Sequence, residues 1–161
     1  MSHYANLQTN IVDQEALVRA LCRVRLPNGS AHQQWTRKMI EVHDTAQHLY
    51  GYHGDRRDDK AHVIIRQQNV RTSANDIGFV RGKDGKFSAI ISDFDRSQGS
   101  NEQWLAQLTT WYGVEKTKIE LDAKKIKYVE GMDAKNGNCP TIEAFFEAPK
   151  AKATVNNFFG G

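Results

Sequence analysis

The chain has little of what would announce a particular chemistry. Of its 161 residues only two are cysteines, Cys22 and Cys139, far apart and outside any Cys-x-x-Cys spacing, so neither a disulfide framework nor a zinc motif is encoded. Two reduced structural thiols are expected. No apolar run approaches the roughly 18 residues that a membrane span needs, and the start MSHYANLQTNIVDQEAL lacks the basic opening and continuous apolar stretch of a secretory signal. Cytoplasmic residence, with no membrane partner, is the expectation. Glycines at 78, 82 and 85 lack the strand-to-helix setting of a nucleotide loop. No serine or cysteine stands in a recognisable nucleophile, base and oxyanion arrangement. His43, His48 and His53 recur at intervals of five, which suits neither a helix face nor one side of a strand, so no metal site is encoded locally. Asp93 with Asp95, and Asp58 with Asp59, read as solvated turns rather than cation sites, because no glycine-spaced calcium loop follows either pair. A non-enzymatic protein without a cofactor is therefore expected.

What is present is ordinary globular material. Hydrophobic residues make up 39% and charged residues 25%, which argues against wholesale disorder. A chain of this length can bury roughly two-thirds of its unfolded surface without metals or cross-links. The net charge of +3 is mildly basic, which favours nucleic acid and says little about membranes.

The densest signal is Ala61 to Ser92, AHVIIRQQNVRTSANDIGFVRGKDGKFSAIIS, which reads as three consecutive antiparallel strands. Val63, Ile64 and Ile65 supply β-branched bulk, Ile77 and Phe79 alternate with their neighbours, and Lys83-Asp84-Gly85-Lys86 carries the Asp-Gly mark of a tight hairpin. Upstream, Tyr4 to Ile11 fits an opening strand and Asp13 an N-cap for a helix bearing Ala16, Leu17, Ala20, Leu21 and Val24. Pro27-Asn28-Gly29-Ser30 stops that helix, and the stretch through Arg37 reads as a polar loop. Strands are expected at Lys38 to Val42 and again at Ala46 to His53. Downstream, Arg96 to Asn101 is a polar break. Trp104, Leu105, Leu108, Trp111 and Tyr112 recur at helical spacing, and Ile119, Ala123 and Ile126 continue the phase, with Gly113 expected to divide or kink the helix. A turn at Gly131 to Asn138 and a strand from Thr141 to Ala148 follow. The fold class is α+β: residues 1–148 as one domain with an antiparallel sheet of about five strands and two or three helices on one face, and residues 149–161 as a flexible C-terminal tail.

Several stretches together resemble a known family. MSHYANLQTNI, LYGYHGDRR, AHVIIRQQN, NDIGFVRGKDGKF and QWLAQLTTWYGV occur in the order seen in the domain of unknown function 1257 family, to which a hypothetical chloroplast reading frame, cyanobacterial proteins and phage proteins belong. The resemblance spans about Met1 to Tyr128. It departs from the family where Ser92-Asp93-Phe94-Asp95 stands in place of a Trp-containing patch, and in the Pro27 to Arg37 loop. The resemblance implies a small α+β fold and no mechanism, so function has to be argued from sites.

Cations and planar rings together point to nucleic acid, because Arg and Lys neutralise phosphates while Tyr faces accept stacked bases. Tyr50, Tyr52, Arg56, Arg57, Arg66, Arg71, Arg81, Lys83 and Lys86 lie on adjoining strands and turns and are the expected binding residues for RNA or another single-stranded nucleic acid, through a basic, aromatic-containing sheet face. The alternative is a protein-interaction adaptor. It would use the Trp104/Trp111 helix or the VNNFFGG tail, where Phe158 and Phe159 would anchor in a partner's groove.

Overall fold

Asp13 does cap the first helix: its carboxylate accepts the Ala16 N–H at 3.0 Å, and the helix α1, Gln14–Leu21, buries the Ala16/Leu17/Ala20/Leu21 stripe completely. In the computed structural model, which describes residues 3–146, the chain groups into two units, Met1–Gly113 and Val114–Gly161.

The first unit is built on a five-stranded antiparallel sheet. Its strands are β1 (Tyr4–Gln8), β2 (Ile40–Tyr50), β3 (Arg56–Ile65), β4 (Ile77–Arg81) and β5 (Phe87–Ser92), in spatial order β1-β5-β4-β3-β2. β3, β4 and β5 are the meander read from the sequence. The short helix α2 (Gln67–Val70) bridges β3 and β4, and α3 (Asp93–Ser97) follows β5. α3 runs into the Arg96 to Asn101 segment, where a polar break was expected, because Ser92 starts the helix by accepting the Asp95 N–H at 3.1 Å. The next helix, α4 (Glu102–Ala123), continues through Gly113 without interruption. That glycine is exposed and a Cβ there would meet nothing, so it costs the helix only about 1 kcal/mol of propensity.

One sheet face carries the main core. Ile40, Val63, Ile65, Ile77, Phe79, Phe87, Ala89 and Ile91 pack with α1 and with Trp104, Leu105 and Leu108 of α4. The Pro27 to Arg37 segment is more than a polar loop, since Trp35 is buried in this core, edge-on to Trp104 at 5.9 Å, with its indole N–H donating to the Asn69 carbonyl at 2.8 Å.

The other face has its own cover. β2 is a single strand rather than two, but its register slips: Val42 lies opposite Val63 and Gln47 opposite Ala61, five steps on β2 against two on β3. Such a bulge bends a hairpin, and here the distal half turns back so that Leu49 and Ala61 join Ile64 and Ile90 in a small second cluster, with Tyr4 and Val80 at its margin. Gly78 lies beneath it. A Cβ at that position would come within 2.5 Å of the Ala61 Cβ and 3.0 Å of Leu49, so the close approach requires glycine.

The second unit contains the C-terminal half of α4 and an antiparallel ribbon, β6 (Lys127–Asp133) with β7 (Cys139–Phe145). The expected continuation of the helix to Ile126 ends early because Lys125 is in the left-handed region, φ 57°. Lys118 is paired with Glu115 at 3.2 Å and with Glu130 at 2.5 Å. The tail at 149–161, with Phe158 and Phe159, lies outside the described residues.

Candidate nucleic-acid interface

The segment Asn75-Asp76-Ile77-Gly78-Phe79 works as a joint. Asp76, 1% exposed, sits just before β4 and accepts from the Tyr50 N–H at 2.8 Å, the Gln67 N–H at 2.8 Å and Arg66 Nη1 at 2.8 Å. Asn75 Oδ1 takes the Tyr52 N–H at 3.1 Å. These two side chains hold the tip of the β2–β3 hairpin, and the Tyr4 hydroxyl donates to the Asp76 carbonyl at 2.8 Å from the β1 side. Burial, reinforced by the Asp76 and Asp95 charges, pushes the Tyr4 phenol well above its ordinary range.

The joint also decides the fate of three of the expected cations. Arg66 forks onto Glu41, with Nε to Oε2 at 2.7 Å and Nη2 to Oε1 at 2.9 Å, while Nη1 also donates to the His48 carbonyl at 3.0 Å. The bond to Glu41 is the main reason the Arg66 guanidinium is shifted upwards, and the same bond holds the Glu41 carboxyl below the usual carboxylate range. Arg71 is paired with the fully buried Asp95. Asp95 in turn accepts from Ser92 Oγ at 2.7 Å and from the Asn75 N–H at 3.0 Å. Arg57 is paired with Asp55 at 3.5 Å and stands over the Tyr4 ring at 5.4 Å. Charges consumed in this way are poor donors to an incoming phosphate, because a buried ion pair that loses one partner leaves the other uncompensated.

The remaining expected residues fall at the two ends of the second face. At the hairpin tip, Tyr50 and Tyr52 are exposed, the Arg66 guanidinium is 5.6 Å from the Tyr50 ring centre, and Tyr52 lies against His53 with ring centres 3.8 Å apart and planes inclined by 38°. Arg56 is exposed there without an ion pair among the described residues, although Asp58 and Asp59 follow it. At the β4–β5 end are Arg81, Lys83 and Lys86. Arg81 donates to Gln14 at 2.5 Å and lies over the Phe87 ring. Lys83 and Lys86 are exposed and have no ion-pair partner among the described residues. The tight turn that presents them closes through the Gly82 N–H to the Lys86 carbonyl at 2.8 Å, with Gly85 at φ 84°, a conformation for which glycine is suited.

The two lysines line a cleft of ≈ 500 Å³ together with Gln8, Thr9, Asn10, Gly82, Asp84 and Ser88. Gln8, Thr9 and Asn10 come from the end of β1 and the residues after it, brought beside β5 by the Gln8↔Ser88 pairing. Nothing in the local sequence marked them, since they join the turn only through a pairing that spans most of the first unit. The arrangement offers ammonium, amide and hydroxyl donors with one opposing carboxylate. Asp84 Oδ1 accepts the Lys86 N–H at 3.0 Å, so that charge is fixed within the turn.

A meander with one helical face and one hairpin-capped face defines an α+β protein whose exposed chemistry is basic and amide-rich at its sheet ends. The chain belongs to the family described as Protein of unknown function (DUF1257), whose model matches residues 38–139. No curated protein and no solved structure matches it.

Proposed function

We propose that the protein is a non-enzymatic binder of single-stranded nucleic acid, RNA foremost, with the β4–β5 turn as its phosphate-contacting end. The observation that carries this reading is the cleft in which Lys83 and Lys86, both without ion-pair partners among the described residues, meet the side chains of Gln8, Thr9, Asn10 and Ser88. Ammonium groups and neutral donors in a concave setting match phosphate oxygens, and they are sequence-tolerant. From there a strand would run along the exposed β1 edge, past Asn6 and Gln8, towards Tyr52 and Arg56. The length of β5 makes that path about 20 Å. Tyr52 and His53 would offer a ring surface at its far end, where base stacking adds affinity without reading sequence. Arg57, Arg66 and Arg71 serve in this reading as supports for the hairpin rather than as phosphate contacts.

Fluorescence anisotropy with a mixed-sequence RNA oligonucleotide tests it. Wild-type affinity should fall with rising salt, and the Lys83→Ala/Lys86→Ala protein should bind more weakly, with its log–log salt slope flattened by about 0.7 for each lost phosphate contact. Absence of binding at low salt, or a double variant with unchanged affinity and slope, would reject the proposal.

A further inference from the structure

The β1 edge, which leads out of the lysine cleft, repeats one chemistry. Asn6, Gln8 and Asn10 stand at alternate positions, all three are exposed, and their side-chain amides have no hydrogen-bond partner among the described residues. Asn6 and Gln8 share one side of β1, about 7 Å apart, because side chains alternate along a strand. Gln8 lies opposite Ser88, whose half-buried hydroxyl also has no partner among the described residues. Thr9, between Gln8 and Asn10, is spent on the main chain: its hydroxyl donates to the Phe87 carbonyl at 2.5 Å and accepts the Ile11 N–H at 3.0 Å.

The backbone of β1 adds to this row. The Asp93 N–H donates to the His3 carbonyl at 2.7 Å, and bonded residues alternate along an antiparallel ladder. Ala5 and Leu7 therefore turn their N–H and C=O groups to β5, while Asn6 and Gln8 turn theirs to the open edge of the sheet. Each of these two residues thus offers donors and acceptors together. The sugar-phosphate chain of DNA presents acceptors only, so it can use the N–H groups and leaves the amide carbonyls unmatched. RNA adds a 2′-hydroxyl at every ribose, which donates as well as accepts.

We infer that the β1 edge selects RNA over DNA, with ribose 2′-hydroxyls donating to the side-chain carbonyls of Asn6 and Gln8 while Lys83 and Lys86 hold the adjoining phosphates. The inference rests on the protein binding single-stranded nucleic acid as proposed, and it assigns the sugar preference to particular residues. The lysines cannot supply that preference, since both backbones carry the same charge per phosphate. Ser88, facing Gln8 across the pair of strands, gives the same hydroxyl a second polar neighbour.

The test measures fluorescence anisotropy of the full chain with one mixed sequence in three backbones: RNA, DNA with uracil in place of thymine, and 2′-fluoro RNA, which lacks the hydroxyl donor. RNA should bind tightest, by about two- to tenfold for each hydroxyl bonded, with the 2′-fluoro oligonucleotide close to DNA. The three salt slopes should agree, because the same phosphates are neutralised. Asn6→Ala/Gln8→Ala, both exposed positions, should shrink the RNA-to-DNA ratio with the salt slope and melting temperature retained. Equal affinity for RNA and DNA, or for RNA and 2′-fluoro RNA, with a salt slope that still responds to Lys83→Ala/Lys86→Ala, overturns the sugar selection and leaves the nucleic-acid reading standing. An undiminished ratio in the amide variant overturns it as well. No binding of any of the three backbones at low salt rejects both.

Discussion

Two positions illustrate how single residues are constrained by what stands over them. At Gly78, a methyl group would have to displace Ala61 and Leu49. Gly78→Ala should therefore destabilise by about 1–3 kcal/mol, the usual result of overpacking, measured by urea unfolding, and Gly78→Ala with Ala61→Gly should recover part of the loss. An unaltered midpoint would show that the hairpin does not lie against β4. His62 is the second case. Its Nδ1 accepts the Arg81 N–H at 3.0 Å, which requires that nitrogen to be unprotonated, and burial with the Arg81 charge holds the ring below the ordinary histidine value of 6.5. Between that value and the lower folded one, the unfolded chain binds more protons. Stability contributed by His62 is thus complete above about pH 6.5 and declines as pH falls through the folded pKa. Thermal melts between pH 7 and 5 should show a smaller decline in His62→Asn than in the wild-type protein. Equal declines would mean that the ring does not serve as an acceptor.

At the scale of elements, periodicity is written in the sequence and connections are not. The meander strands, α1 with its Asp13 cap and the Trp104/Leu105/Leu108 stripe are local patterns, and each stands where its residues direct. Leu108 is fully buried, so Leu108→Ala should cost about 2–5 kcal/mol, and a calorimetric melt that does not move would remove α4 from the core. The β2 bulge, by contrast, has no sequence mark, because a register slip depends on the partner strand and on what the bent hairpin can cover. Trp35 was hidden in a stretch of polar residues for a similar reason, its burial being set by Trp104 nearly seventy positions away. The pairing of the arginines is illegible in the sequence in the same manner. Arg57, Arg66 and Arg71 look like surface cations until the fold supplies Asp55, Glu41 with Asp76, and Asp95. The Trp104/Trp111 helix, offered by its composition as a docking surface, turns Trp104 into the core and packs Trp111 against it, with the Arg23 guanidinium 4.4 Å from the Trp111 ring centre.

Across the whole molecule, the modest net charge matters less than its distribution. Among the described residues Asp84 is the one carboxylate lining the lysine cleft, and Asp84→Asn keeps the acceptor for the Lys86 N–H while removing the negative charge. RNA affinity at low salt should rise several-fold in that variant, since a like charge no longer faces the phosphates, and a fall would mean that the turn does not meet the backbone of the ligand. The sheet order has a different kind of consequence. β1 is an edge strand whose partner in the sheet is β5, Tyr4 lying opposite Ser92. Local hairpins can close as soon as they are synthesised, but this pairing must wait for residues near 92 to leave the ribosome, and loop closure over such a separation is slow compared with hairpin formation. Until that closure the outer edge of β5 has no partner, and once it is made the open edge passes to β1, so the strand most open to strand-to-strand aggregation differs between the nascent chain and the finished protein.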